Sequence, residues 1–251
     1  MARKVAKRAS QASKSIIEVR PKSSQRKFRS DIVPHTARLP LQERSRSRFE
    51  EIIKATEKLL QIANITDISF YDIAHQARIP AASVSYFFPT MAALHKELSQ
   101  RYNAQCSQVA INAGVELARA RNPRWQDWIR VILAKSAEFL NEHRHVREVL
   151  LGALLHLESK RQNCYANDRV GASMLQSFHQ VFVVSEIPNL ENMFVIIAEI
   201  ADVLWSRSYV LSGTIADSAV VESSEVAISY LRTVLPETLP LVRRSTALER
   251  A

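Results

Sequence analysis

The stretch SFYDIAHQARIPAASVSYFFPTMAAL, Ser69 to Leu94, decides how the chain is read. Ser69 followed by Asp72 is a capping box: the hydroxyl accepts an orphan N–H and the carboxylate reaches back. Ile73, Ala74 and Ala77 then form one narrow apolar face. The helix must stop near Arg78, because Pro80 cannot continue it, whereas Pro80 suits the first turn of a following helix. In that second helix Val84, Phe87 and Phe88 point inward at helical spacing. Ala81, Ala82, Ser83, Ser85 and Tyr86 are left facing out. Two helices this short are not stable alone. Joined by a tight turn, they have the dimensions of a helix-turn-helix, whose second helix fits the DNA major groove.

Helical patterns continue on both sides. Ser47 with Glu50 reads as a second capping box, opening a helix through Phe49, Ile52, Ile53, Leu59 and Leu60 to Ala63. Asn64 is expected to close it in the left-handed region. Thr90 is placed to cap a long helix from Met91 to about Ala118. After Asn122-Pro123, amphipathic segments are expected at Trp125–His143, Val146–Lys160, Ala166–Val184, Leu190–Leu211 (ended by Gly213) and Ser223–Leu235. Gly is scarce, with four residues in 251, and strand-like alternation is lacking. The expected fold class is all-α: an N-terminal three-helix head with the helix-turn-helix, and a C-terminal helical body.

Charge divides the chain. Residues 1–48 hold 14 Lys/Arg against 3 Asp/Glu; the remaining 203 hold 20 against 22. The body is near neutral and the excess belongs to the leading segment. Residues 1–44 therefore read as a basic, disordered arm that adds phosphate contacts without sequence information. The head follows at 45–104, the body at 105–240 and a loose tail at 241–251. No apolar run reaches the ~18 residues of a membrane span, and the basic N-terminus lacks the apolar core of a secretory signal. Cys106 and Cys164 read as idle thiols in a reducing cytosol.

A search for catalytic constellations finds none. His143 and His145, two residues apart, diverge on a helix and better suit a helix end, where a cation is favoured. There is no Gly-rich phosphate loop and no nucleophile elbow. The chain is expected not to be an enzyme, and to need neither metal nor cofactor.

Residues 46 to about 98 resemble the DNA-binding head of TetR-type (TetR/AcrR) bacterial transcriptional regulators. The resemblance rests on the Phe49–Leu60 helix, Ser69-x-x-Asp72-Ile73-Ala74, Ala77-Arg78-Ile79-Pro80, and Ser83-Val84-Ser85-Tyr86-Phe87-Phe88-Pro89-Thr90 with Leu94. It implies a cytoplasmic, all-α homodimer on double-stranded operator DNA, most often a repressor released by a small-molecule effector. By that likeness the DNA contacts are Ser69, Tyr71, Ala81, Ala82, Ser83, Ser85, Tyr86 and Thr90. Ile73, Ala74, Ile79, Val84, Phe87 and Phe88 form the helix-turn-helix core.

The pattern also has departures. Ser85 stands where Tyr is usual, Met91 where Lys is, Arg78 where Gly is and Pro80 where Ser or Thr is. Two usual phosphate anchors are thus missing, and Tyr86 with the basic arm is expected to replace them. In the body, Trp125, Trp128, Phe139, His156 and Phe178 are the candidates for an effector pocket. Arg130, Lys135, Arg147 and Glu148 are candidate inward charges. Leu190, Met193, Ile197, Ile200, Leu204 and Leu211 form the candidate dimer stripe. The alternative reading is an architectural or non-specific DNA-binding helical protein without an effector, distinguished by little preference among DNA sequences.

Overall fold

The first helix begins one turn before its expected cap. In a computed structural model, which describes residues 36–119, 123–152 and 157–242 (side chains of 157–163 excepted), α1 spans Glu43–Leu60. Ser47 therefore lies inside it, and its hydroxyl bonds Glu51 one turn on, at 3.3 Å. The run Glu43–Arg48 has no apolar period, yet it carries good helix formers and an acidic first turn that suits the helix dipole. Asn64 is also not left-handed: it is extended and opens a 3₁₀ turn at Ile65–Asp67.

Two short helices follow, α2 at Phe70–Ala77 and α3 at Ala81–Phe87. The expected capping box at Ser69 is present, with both reciprocal bonds. Arg78 ends α2 in the left-handed region, at φ 56°. Pro80 is the N-cap of α3, one position before the first turn. Thr90 caps α4, Met91–Leu117, accepting from the Ala93 N–H at 3.0 Å. Helix α4 carries the chain without a break out of the small head, and the expected division at 104/105 falls inside it.

The body adds α5, Trp125–Glu142, and a single turn α6, Arg144–Arg147, that widens into a π turn at Glu148–Gly152. The helix expected from Val146 to Lys160 is thus interrupted, and the next one, α7, spans Leu157–Val181. Helices α8, Leu190–Ser212, and α9, Asp217–Leu231, complete it. Gly213 closes α8 at φ 76°, a conformation that favours glycine. Helix α9 starts about two turns before Ser223, with Asp217 in its first turn and Ala219 and Val220 packed against the core.

Helix α4 packs on α5 and α7, α7 on α8, α8 on α9, and α9 back on α5. Their apolar faces meet around Trp128, Ile129, Phe178 and Phe194, all buried. At one crossing α7 and α8 touch backbone to backbone: a Cβ on Gly171 would lie 2.6 Å from the Cα and N of Val195.

The fold is all-α. Among the described residues the only extended pairing is an isolated bridge between Phe182 and Leu241, which ties the first residues of the expected tail to the end of α7. Residues 1–35 and 243–251, with most of the expected arm and tail, lie outside the described residues, as does His156.

Candidate nucleic-acid interface and inner cavity

The head is held by aromatic packing. Phe49 of α1 meets Phe87 edge-on at 5.6 Å and Phe88 at 4.9 Å between ring centroids. Ile73, Ala74, Val84, Phe87 and Phe88 are buried, and Ile79 is half-buried against them. Burying these residues on one side fixes which residues face out. Tyr71 on α2 and Tyr86 on α3 are 78% and 58% exposed, large aromatic areas that a stable surface does not need. Ala82 and Ser85 are exposed beside them, with Ala81 and Ser83 half-buried.

The hydroxyls differ in their freedom. Ser69 Oγ accepts from the Asp72 N–H at 3.3 Å and donates to Asp72 Oδ2 at 2.6 Å. These bonds, with one from the Ser69 N–H, hold the Asp72 carboxyl below the usual range. Ser85 Oγ donates back to the Ala81 carbonyl at 3.3 Å, and Thr90 Oγ1 is occupied as a cap. Ser69, Ser85 and Thr90 are therefore engaged in their own helices, whereas Tyr71 and Tyr86 present free phenols to the outside. One neighbour has no signal in the sequence. The Arg38 N–H donates to the Phe87 carbonyl at 2.8 Å, and its guanidinium lies 5.4 Å over the Tyr86 ring. The segment before α1 is thereby pinned to the end of α3, and it adds a cation to the same face.

Polar bonds join this head to the body. Arg101 of α4 forms a two-pronged pair with Glu50 of α1 at 2.7 and 2.8 Å, which lowers the Glu50 pKa. From α6, Arg144 donates to the carbonyls of Leu60 and Ala63 and to Asn64 Oδ1, closing the end of α1. Glu148 is buried; it accepts from the Ile65 N–H and from the Tyr209 hydroxyl on α8. Burial, reinforced by Glu148, pushes the Tyr209 phenol up to about 12. Arg147, also buried, donates to the Leu140 and Asn141 carbonyls of α5. Of the four candidate inward charges, Arg147 and Glu148 face inward. Arg130 and Lys135 form surface pairs with Glu225 and Glu138.

Between α4, α5, α7 and α8 lies a cavity of about 90 Å³. Its walls are mostly apolar, including Trp128, Ile132, Leu133 and Trp205, with Asn103, Asn167, Ser177 and Asp202 among them. Of the aromatic candidates, Trp128 lines it. Trp125 sits elsewhere, donating its indole N–H to the Pro236 carbonyl. Phe139 packs against His143, and Phe178 is core, meeting Trp128 edge-on at 5.2 Å. Cys106 is in the wall, where burial pushes its thiol up to about 11, outside the reactive thiolate range. Among the described residues no group of three His, Cys, Asp or Glu side chains is placed to hold a metal. None of the helices there is long and apolar enough to cross a membrane.

The candidate dimer stripe on α8 splits between two faces. Leu190, Met193 and Ile197 point into the body's own core. Ile200 and Leu204 are half-buried, and Leu211 is 69% exposed. The outer face continues through Val203 and Val210, also exposed.

No family model matches the chain, and no curated protein matches it. Solved structures do. A TetR-family transcriptional regulator from Streptomyces coelicolor superposes with a TM-score of 0.58 at 18% identity, covering 76% of this chain and 99% of that one. A TetR regulator from Rhodococcus sp. RHA1 gives 0.57 at 11% identity, over 77% and 100%. SmeT, the repressor of the Stenotrophomonas maltophilia multidrug efflux pump SmeDEF, gives 0.50 at 14% identity, over 76% and 96%. The chain shares the all-α fold of these regulators along nearly their whole length.

Proposed function

We propose that this chain is a TetR-type, sequence-specific DNA-binding transcriptional regulator. In this reading it acts in the cytoplasm as a homodimeric repressor, released from its operator by a small-molecule effector. The observation that carries the reading is the outward face of a rigid helix-turn-helix, where Tyr71, Ser83 and Tyr86 project from a core that needs none of them. Tyr71, Ala81, Ala82, Ser83 and Tyr86 contact base edges, the alanines meeting thymine methyls. Ser69 and Thr90 hold their helix ends and bring backbone N–H groups to phosphates, and Ser85 contacts DNA from the exposed side of α3. Arg38 and the basic residues before it supply the electrostatic attraction that Ser85 and Met91 do not.

The head covers residues 45–104 and the body 105–240. The body dimerises through the outer face of α8, with Ile200, Val203, Leu204, Val210 and Leu211 at its centre and α9 beside it. The effector enters the cavity between α4, α5, α7 and α8. Because α4 is both a wall of the cavity and the continuous link to the head, widening the cavity re-aims the two recognition helices.

Selection of bound fragments from genomic DNA tests this. A regulator is expected to prefer its own site over random duplex by about 10³-fold or more at physiological salt. Tyr71→Ala and Tyr86→Ala should each remove that preference while leaving the melting temperature unchanged. Equal binding to all fragments would favour an architectural binder, the reading to which the +11 of residues 1–48 lends weight.

A further inference from the structure

The cavity has one ionisable group suited to recognition. Asp202 of α8 lines it, and among the described residues no Lys, Arg or His does. Asp202 is half-buried in the cavity wall. Asn167 of α7 lines the same wall, and the nearby charge acting on Asp202 is Glu199, one turn back on α8 and of the same sign. A half-buried carboxylate set beside a second acid, with no cation facing it among the described residues, is costly to keep unless something else completes it. One buried polar group in the same walls is unanswered. Ser177, 3% exposed, lines the cavity with a hydroxyl that has no hydrogen-bond partner. Asn167 and Ser177 are ten residues apart on α7, about 15 Å along the helix. The cavity is therefore an apolar slot with an acid and an amide toward one end and a free hydroxyl toward the other.

We infer that the cavity recognises an apolar molecule bearing a protonated amine, with Asp202 as the counter-ion of the ammonium. This rests on the reading of the cavity as the effector site, and it adds the chemical class of the effector. An ammonium satisfies Asp202 with charge-assisted hydrogen bonds, while the walls around Trp128 and Trp205 cover the apolar part. An anionic molecule would meet Asp202 and Glu199 with the wrong sign. The slot is smaller than the ~150 Å³ that holds benzene in a dry protein core, so occupation separates its walls.

A series of one shape and three charges tests this: 4-phenylbutylamine, 4-phenylbutan-1-ol and 4-phenylbutyrate, titrated calorimetrically into the full chain at pH 7.5. The amine is expected to bind about tenfold more tightly than the alcohol, and the carboxylate most weakly. Asp202→Asn should abolish the preference for the amine while keeping the affinity for the alcohol, which also shows that the variant is folded. An amine that fails to bind, binds no better than the alcohol, or keeps its advantage in Asp202→Asn overturns the inference. Release of bound DNA is measured separately. An amine that binds through Asp202 but leaves DNA affinity unchanged would keep this inference and refute the effector role.

Discussion

The carboxylate of Glu148 accepts the N–H of Ile65 at 3.0 Å, across 83 residues of sequence. Its other oxygen receives the Tyr209 hydroxyl, so one buried acid joins the turn after α1, the π turn of the body and α8. Removing it leaves a buried donor at Ile65 and a half-buried one at Tyr209 without acceptors. Glu148→Ala is expected to lower unfolding free energy by about 3 kcal/mol. Tyr209→Phe, which deletes one donor, is expected to cost about 1 kcal/mol. Urea denaturation of the two variants checks both the sizes and their order.

Arg78 occupies a left-handed position, φ 56° and ψ 41°, at the end of α2. For a residue with a Cβ that conformation costs about 1 kcal/mol relative to glycine. Arg78→Gly should therefore raise the melting temperature by several degrees. A DNA titration of the same variant shows whether the Arg78 cation contributes to binding, since any loss there comes without loss of fold.

His95 gives the junction a dependence on pH. Its Nε2 lies 3.0 Å from the Val149 carbonyl, linking α4 to the π turn, and burial holds its imidazole below its ordinary value of 6.5. His145, which meets Gln61 across the junction at 2.8 Å, is displaced the same way, again chiefly by burial. In both cases the unfolded chain binds the proton more readily than the folded one. Their stabilisation is complete above about pH 6.5 and is lost as pH falls below it. Denaturation at pH 7.5, 6.5 and 5.5 should show falling stability, with a shallower fall in His95→Gln.

Two substitutions on α8 separate the dimer face from the core. Val203 is 64% exposed and Ile197 is 1% exposed. Val203→Glu is expected to give a helical monomer by sedimentation equilibrium. Ile197→Glu buries an unpaired charge and should cost about 4 kcal/mol or more, visible as loss of the folded circular dichroism signal. A Val203→Glu protein that stays dimeric would move the interface to another surface.

Much of the head was legible because its signals are local. The Ser69–Asp72 box, the Thr90 cap and the Phe87-Phe88 pair each declare a structure within four residues. Gly213 and the amphipathic Trp125–Glu142 helix were equally plain. The start of α1 was not, because Glu43–Arg48 is held by propensity and charge, which leave no apolar period. Helix α8 is apolar around much of its circumference, so its spacing gave a stripe but not the partner. The cavity was hidden for a related reason. Large aromatics such as Trp125 and Phe178 fill space, whereas the walls depend on Asn167, Ser177 and Asp202, small polar residues that converge only when four helices assemble. Glu148 and Arg144 were invisible as struts, since their partners lie 61 to 84 residues away.

Gly171 and Val195 bring α7 and α8 into backbone contact where the two helices cross. Asp202 lies seven residues beyond that point on α8, a lever arm of about 10 Å. Helices whose backbones meet at a crossing turn about it more easily than they part there. A guest forcing the helices apart at Asp202 therefore turns them about Gly171. Replacing that glycine by alanine would shift the pivot outward and change the gearing between cavity and head without touching either.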